Sequence, residues 1–225
     1  MILLIRHGEA EHHVKALTGG WTDSCLTADG KAQMEKLAAV LKKDFAGRKP
    51  PRLAASDLQR CQVGAAILKK ALGIKEVTLF KALREKNNGK AAGKSVVAAK
   101  SFYHAPKTGR ELDHRNYDGG ETRREFYERT IAGMKDVLCG TEDLIIIAHK
   151  GSIQNILFYW MGYSIDEVAS KKVSFDIRPA SLTMIGVNKW DEHAIFLLND
   201  LSYLRSDEKI GLFNGSLSNV GVPHN

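Results

Sequence analysis

Apolar residues along this chain fall into two kinds of run, and the two kinds alternate. Short continuous runs read as buried strands: Ile2–Ile5, Arg52–Ala55, Val77–Phe80 and, most clearly, the β-branched stretch Leu144–Ala148. Between them, apolar residues recur at helical spacing. From Thr27 onward this puts Met34, Leu37, Ala38, Leu41 and Phe45 on one face, and Gly47 with the Pro50–Pro51 pair ends the unit. Ser56 or Asp57 is the expected cap of a second helix, with Cys61, Ala65, Leu68 and Leu72 on one face and Gly73 as its stop. A third helix is expected to carry Tyr127, Ile131, Met134 and Leu138, and Gly151–Met161 reads as a fourth.

Two segments depart from this rhythm. Residues 86–119 are rich in Lys, Gly, Asn and Ala and lack apolar periodicity. They are expected to form a small cap insertion of loops and short helices over one end of the sheet, closed by Gly119–Gly120. Leu182–Val187 and Ala194–Leu198 flank a polar turn, which predicts an antiparallel hairpin at a sheet edge. The residues from Ser206 are rich in Gly, Ser and Asn and are expected to be a loosely held tail, residues 206–225. The alternation as a whole predicts an α/β fold: a three-layer sandwich with a mostly parallel central sheet and helices on both faces. A single domain over residues 1–205 suits a chain of 225 residues.

Composition narrows the function classes. At 44% hydrophobic and 26% charged residues the chain is an ordinary globular one. No apolar run reaches the roughly 18 residues a membrane span needs, and the start lacks the basic n-region of a signal peptide. A cytoplasmic location with no membrane partner is the expectation. Cys25, Cys61 and Cys139 show no paired spacing and are expected to be reduced, buried thiols rather than disulfides or zinc ligands. The net charge is +7, yet there is no basic block or finger spacing that would point to nucleic acid. Much of the excess lies between Lys86 and Arg115, where seven Lys and Arg oppose Glu111 and Asp113. Such a stretch is either a solvated face or a charged rim over the strand ends.

Function in open α/β sheets collects at the carboxyl ends of the strands. Arg6 and His7 follow the first strand, Ser56 to Arg60 the second, Glu85 the third, and His149 follows Leu144–Ala148. Two histidines, two arginines and a carboxylate at one site suit phosphoryl chemistry. Guanidinium groups bind the dianion through paired N–H donors. Imidazole is nucleophilic near neutral pH, and a carboxylic acid can protonate a departing oxygen and then deprotonate water.

At these residues the sequence resembles the histidine phosphatase superfamily, also called phosphoglycerate mutase-like. The match runs through Leu4-Ile5-Arg6-His7-Gly8-Glu9, Leu17-Thr18-Gly19-Gly20-Trp21-Thr22-Asp23, Leu26-Thr27 and Ser56-Asp57-Leu58-Gln59-Arg60. It continues with Leu83-Arg84-Glu85, Gly120-Glu121, Ala148-His149 and Leu198-Asn199-Asp200, all in family order. The resemblance implies that His7 is the nucleophile that becomes phosphohistidine. It implies that Arg6, Arg60 and His149 complete the phosphate pocket, that Glu85 is the proton donor, and that the Thr18–Gly19 turn contacts substrate through its backbone. Glu9 and Asp57 are the lesser candidates for the donor. Neither a metal nor an organic cofactor is implied, and the adjacent pair His12–His13 has no metal-ligand spacing.

Two departures from the family pattern stand out. His13 occupies a position where many relatives carry a phosphate-holding Asn, so His13 is a candidate substrate-binding donor. Lys150 stands where many relatives have Gly after the second histidine. The compact stretch Leu83-Arg84-Glu85-Lys86-Asn87-Asn88-Gly89 resembles the phosphatase branch. Hydrolysis of a small phosphorylated metabolite is therefore the expected activity. Mutase-type phosphoryl transfer and a non-catalytic phospho-ligand module are the alternatives, and the oligomeric state is left open.

Overall fold

The computed structural model describes residues 1–108 and 111–204, so the expected tail lies outside the described residues. The elements in chain order are β1 (Ile2–Arg6), α1 (Glu11–Val14), α2 (Ala28–Asp44), β2 (Arg52–Ser56), α3 (Gln59–Leu72), β3 (Thr78–Phe80), α4 (Val96–Ala99), α5 (Arg123–Val137), β4 (Leu144–Ala148), α6 (Lys150–Trp160), α7 (Ile165–Lys171), β5 (Leu182–Val187) and β6 (His193–Asp200). The strands form one sheet in the order β3-β2-β4-β1-β5-β6. β4 runs parallel to β1 and β2, and β2 runs parallel to β3. β5 is antiparallel to both its neighbours and closes the edge hairpin expected from its polar turn.

Alternation along the strands splits the core into two layers. Leu3, Ile5, Leu53, Ala55, Ile145 and Ile147 face α2 and α3, where Met34, Leu37, Leu41, Cys61 and Leu68 pack against them. Leu4, Ala54, Ile146 and Ala148 face the other way, onto Met134 and Val137 of α5 and Ile153, Ile156 and Leu157 of α6. All five residues of β4 are buried, which is why its sequence is a continuous apolar run instead of an alternating one. The fold is thus the three-layer α/β sandwich that the chain's periodicity predicts.

The central pair β1 and β4 sets up the chemistry. Arg6 lies opposite Ala148 in the parallel register. The His7 N–H donates to the Ala148 carbonyl at 3.0 Å, and the His7 carbonyl accepts from Ala180 N–H at 3.0 Å. The nucleophile candidate is therefore held through its backbone on two sides, with His149 one residue beyond its partner on β4.

Several local expectations need correcting. Neither Ser56 nor Asp57 caps α3: the N-cap is Leu58, and the first turn is satisfied by Asp23, whose Oδ1 accepts from Gln59 N–H at 2.8 Å. Both side chains are engaged elsewhere, Asp57 in a bidentate pair with Arg84 at 2.7 Å and Ser56 with His149 at 2.9 Å. α7, built on the capping box of Ser164 and Glu167, was not anticipated, and α6 begins one residue early at Lys150. Cys61 is buried as expected, whereas Cys25 and Cys139 are exposed.

Candidate active site

The carboxyl ends of β1, β2 and β4 bring Arg6, His7, Arg60 and His149 together in a buried cluster. His7, Arg60 and His149 are each 2% exposed or less. The His7 and His149 rings meet edge to face with centroids 5.1 Å apart. His13 stacks on His7 at 5.6 Å.

The protonation pattern can be read from partners that only accept or only donate. His7 Nδ1 lies 2.7 Å from the Gly8 carbonyl, which can only accept. Nδ1 therefore carries the hydrogen, and Nε2 is left with an unshared pair. Burial, and then the charges of His149, Arg60 and Arg6, push the His7 pKa well below its ordinary value, so the ring is neutral. His149 is held neutral mainly by burial and then by Arg60 and Arg6. Its Nε2 lies 2.9 Å from Ser56 Oγ, with Cys61 Sγ at 3.5 Å. Burial pushes that thiol up to about 12, so it is not a competing thiolate nucleophile.

His13 is the informative departure. Ala10 N–H donates to its Nδ1 at 3.2 Å, which leaves the ring hydrogen on Nε2. Yet Nε2 lies 3.1 Å from Nη2 of Arg6, a group that can only donate. Two donors this close are at ease only with an acceptor beside both, and an anionic oxygen is such an acceptor. Burial, Arg6 and Arg60 hold His13 down at about 4, so it meets that oxygen as a neutral donor. His12 is held at about 3, chiefly by burial, and its Nδ1 lies 2.7 Å from Ser24 Oγ.

The two guanidiniums have no carboxylate partner. Arg6 donates to the Ile177 carbonyl at 2.6 Å, and Arg60 donates to the carbonyls of Thr22 and Gly20 at 2.6 and 2.8 Å. Their Nε atoms are buried and unpartnered. Burial lowers the pKa of both groups, but guanidinium is so strong a base that they stay charged. A buried donor without an acceptor is costly, so both orphaned N–H groups suit the binding of an anionic oxygen.

Glu85 borders this cluster, near enough for its charge to raise the pKa of both Arg6 and Arg60. Its carboxylate accepts from Lys86 N–H at 2.8 Å and from Gly151 N–H, in the first turn of α6, at 2.9 Å. The backbone that carries it is held from two directions. Trp21 Nε1 donates to the Glu85 carbonyl at 2.8 Å, and Arg129 donates to the carbonyls of Ala82, Arg84 and Glu85 while pairing with Glu121. Ser56 and Trp21 stand in the motifs read from the sequence and Arg129 does not, but the motifs assign these positioning roles to none of them, because each acts second-hand, orienting a group that faces the pocket.

The Thr18–Gly19 turn lies at the rim. Thr18 N–H is taken by the Lys94 carbonyl at 2.8 Å, so of the two amides only that of Gly19 is without a partner among the described residues. Lys150 does not reach into the cluster, because its ammonium pairs with Asp176. Of the basic cap residues, Lys90 pairs with Asp118 and Lys94 sits over the Phe102 ring. Among the described basic residues of the cap, only Lys86 lines the adjoining cleft. No group of side chains suited to a metal ion occurs among the described residues, and no helix there is long and apolar enough to cross a membrane.

Comparison with known proteins agrees with this geometry. The family model described as histidine phosphatase superfamily (branch 1) matches residues 2–200. The chain is 30% identical over 169 residues to the broad-specificity phosphatase YOR283W of Saccharomyces cerevisiae, covering 72% of this chain and 70% of the yeast protein. It is 31% identical over 168 residues to a 2,3-bisphosphoglycerate-dependent phosphoglycerate mutase of Xanthobacter autotrophicus, covering 70% of this chain and 79% of the mutase. Among solved structures, a mycobacterial glucosyl-3-phosphoglycerate phosphatase superposes with a TM-score of 0.71 at 19% identity, covering 88% of this chain and 98% of that one. An α-ribazole phosphatase from Shigella flexneri gives 0.70 at 19% identity, covering 88% and 96%. At that identity the structural likeness speaks for the fold alone.

Proposed function

We propose, on the premise that this chain belongs to the histidine phosphatase superfamily, that it hydrolyses the phosphomonoester of a small phosphorylated metabolite through a phosphohistidine at His7. The observation that carries the reading is the state of His7: neutral, with Nδ1–H fixed on the Gly8 carbonyl and the Nε2 lone pair free in a pocket that also holds two guanidiniums.

In the first step Nε2 forms a bond to phosphorus as the ester P–O bond breaks. Glu85, in its acid form, gives its proton to the departing alkoxide. Arg6, Arg60 and the Nε2–H of His13 take the equatorial oxygens, where charge is densest. Ser56 turns its hydroxyl hydrogen to His149 Nε2, which leaves Nδ1–H of His149 to serve the same oxygens. In the second step water attacks phosphorus, the P–N bond breaks back to His7, and Glu85 takes the proton of the water. The residue roles follow the motif, and the orphaned Arg6 and Arg60 donors support them. In this reading residues 86–119 act as the cap of one catalytic domain, and the Gly19 amide adds a rim contact to substrate.

The yeast relative favours hydrolysis. The mutase relatives favour a second reading, in which the phosphohistidine is captured by a second hydroxyl instead of water. Labelled substrate quenched without acid should leave base-stable, acid-labile phosphate on His7, and none in His7→Ala. Label on a serine or carboxylate would overturn the mechanism. Release of labelled inorganic phosphate, as against a positional isomer of the substrate, separates hydrolase from mutase.

A further inference from the structure

The ribbon that ties the cap to the rim of the phosphate pocket is apolar on its outside. Residues 14–18 run antiparallel to residues 93–97. Leu17 bridges Ser95, Val96 N–H donates to the Ala16 carbonyl at 2.9 Å, and Thr18 N–H donates to the Lys94 carbonyl at 2.8 Å. Val14, Ala16, Val96, Val97 and Ala98 are all exposed along it. Val97, at 78%, is the most exposed large apolar residue among those described, with Val14 at 61% and Val96 at 52%. In α4 only Ala99 is buried, so its single turn stands proud of the cap. Singly exposed apolar residues need no explanation, but a contiguous ridge of them marks a contact surface.

The charge around the ridge is of one sign. From Lys86 to Arg110 the chain has no acidic residue. Lys94 and Lys100 flank α4 directly, and Lys107 follows on the same loop. None of these three has a carboxylate within ion-pair distance among the described residues, and Lys94 has only the Phe102 ring beneath its ammonium. The neighbouring charges are already balanced: Lys15 pairs with Glu11, and Asp118 takes both Lys90 and His104. The exposed apolar residues of the edge hairpin differ. Val187, Trp190, Phe196 and Leu198 stand in a stretch where Asp191, Glu192 and Asp200 outnumber Lys189.

A convex aliphatic ridge flanked by free ammoniums matches a fluid, anionic surface. Such a surface moulds to the ridge, takes the valines at headgroup depth and meets the lysines with its phosphates. A specific protein partner needs roughly 800 Å² of shaped contact with aromatic or Arg anchors at its centre, and this ridge offers valines and alanines.

We infer that the ribbon docks on the surface of an anionic lipid bilayer, with Val96 and Val97 at headgroup depth and Lys94 and Lys100 on the lipid phosphates. The contact is peripheral and needs no spanning segment, so it replaces the expectation of no membrane partner. Because Thr18 belongs to the same ribbon, docking holds the rim of the phosphate pocket against the lipid. The inference goes beyond the hydrolase reading and does not depend on it.

The full chain is sedimented with vesicles of phosphatidylcholine, alone or with a third of the lipid as phosphatidylglycerol. Neutral vesicles should bind it at least about tenfold more weakly. A lysine near an anionic surface contributes about fivefold in partition. Lys94→Gln with Lys100→Gln should therefore weaken binding to the anionic vesicles about 25-fold at low salt, and by less as salt rises. Val96→Ser with Val97→Ser leaves every charge in place and should weaken it about tenfold. Thermal melts report whether each variant is folded. Equal binding to the two kinds of vesicle, or to neither, overturns the inference. Binding that survives either pair of substitutions overturns it too, since net charge or another face then holds the protein. Soluble polyglutamate bound as tightly as the vesicles, with no effect of the serine pair, would mark an acidic protein as the occupant and likewise end it.

Discussion

Replacing Gly151 with Ala separates the fold from the chemistry. A Cβ built at Gly151 would lie 2.2 Å from Glu85 Oε1 and 2.7 Å from Cε1 of Phe126. Two opposed effects act on stability. Ala is better than Gly inside a helix by about 1 kcal/mol, and overpacking against the buried Phe126 ring costs about 1–3 kcal/mol. The net change should be a loss of about 0–2 kcal/mol, and the protein should stay folded. The carboxylate is the more movable neighbour, and it must retreat by about 1 Å to reach ordinary contact, giving up its bond to the residue 151 amide. A misplacement of that size at a reacting group costs about 10²-fold. The cost should appear where the leaving group needs a proton. An alkyl phosphate should lose about 10²-fold in kcat, whereas an activated aryl phosphate should lose about tenfold or less. Glu85→Gln should reproduce the same split without the change in stability. Steady-state kinetics on both esters, beside a thermal melt, decide it. Equal losses on the two esters would refute the assignment of Glu85 as donor, and unchanged kinetics would show that the clash is absorbed by Phe126 alone.

Three further expectations follow from the geometry. His12 and His13 are held at about 3 and about 4 against an unfolded value of about 6.5, so below pH 6.5 the unfolded chain binds protons that the native site refuses. Stability should therefore be level above pH 6.5 and fall as pH drops toward 4. The full slope is about 1.4 kcal/mol per pH unit for each ring, and the buried His7 and His149, also held neutral, act in the same direction. His13→Asn should reduce the slope without abolishing it, and denaturant titrations from pH 7 to 4.5 that show none would contradict the protonation pattern. Gly30→Ala places a Cβ 1.9 Å from the Glu9 carbonyl oxygen. Backbone cannot yield there as a side chain can, so the clash outweighs the helix preference of Ala, and a loss of about 3 kcal/mol should appear in urea melts. Trp21→Phe removes the indole donor to the Glu85 carbonyl and should cost about 1 kcal/mol, with a drop in kcat on alkyl esters exceeding that on aryl ones. Equal drops on both would reduce Trp21 to a packing residue.

What the sequence discloses and what it hides follow a physical division. Leu144–Ala148 reads as a strand because burial on both faces demands a continuous apolar run, and strand ends then locate His7 and His149 without further information. α7 was missed because its cap, Ser164 with Glu167, precedes only seven helical residues, too few to show a period. The capping of α3 was misjudged because its acceptor, Asp23, lies 36 residues away in sequence, and Ser56 and Asp57 look like caps only while their long-range partners are unknown. The basic stretch illustrates the same limit. Its excess charge is legible, but which lysine faces the cleft is not, since Asp118 and Phe102 claim Lys90 and Lys94 through contacts that no spacing rule contains. A Ser-x-x-Glu scan through 161–182 would have found α7.

The backbone bond from His7 to Ala148 has a bearing on how such a protein can diversify. The two histidines leave neighbouring strands, whose spacing of about 4.8 Å is set by peptide hydrogen bonds that carry no side-chain information, and their rings then meet 5.1 Å apart. Drift in the cap can alter which ester is cleaved while leaving that interval untouched. The reverse does not hold: a slip of β4 by one residue would turn His149 to the opposite face, and no change in the cap could bring it back. Selection on substrate and selection on chemistry therefore act on separate parts of the chain. Exchanging residues 86–119 between relatives should transplant preference without transplanting rate, as exchanging a lens alters what a camera sees and not how fast its shutter moves.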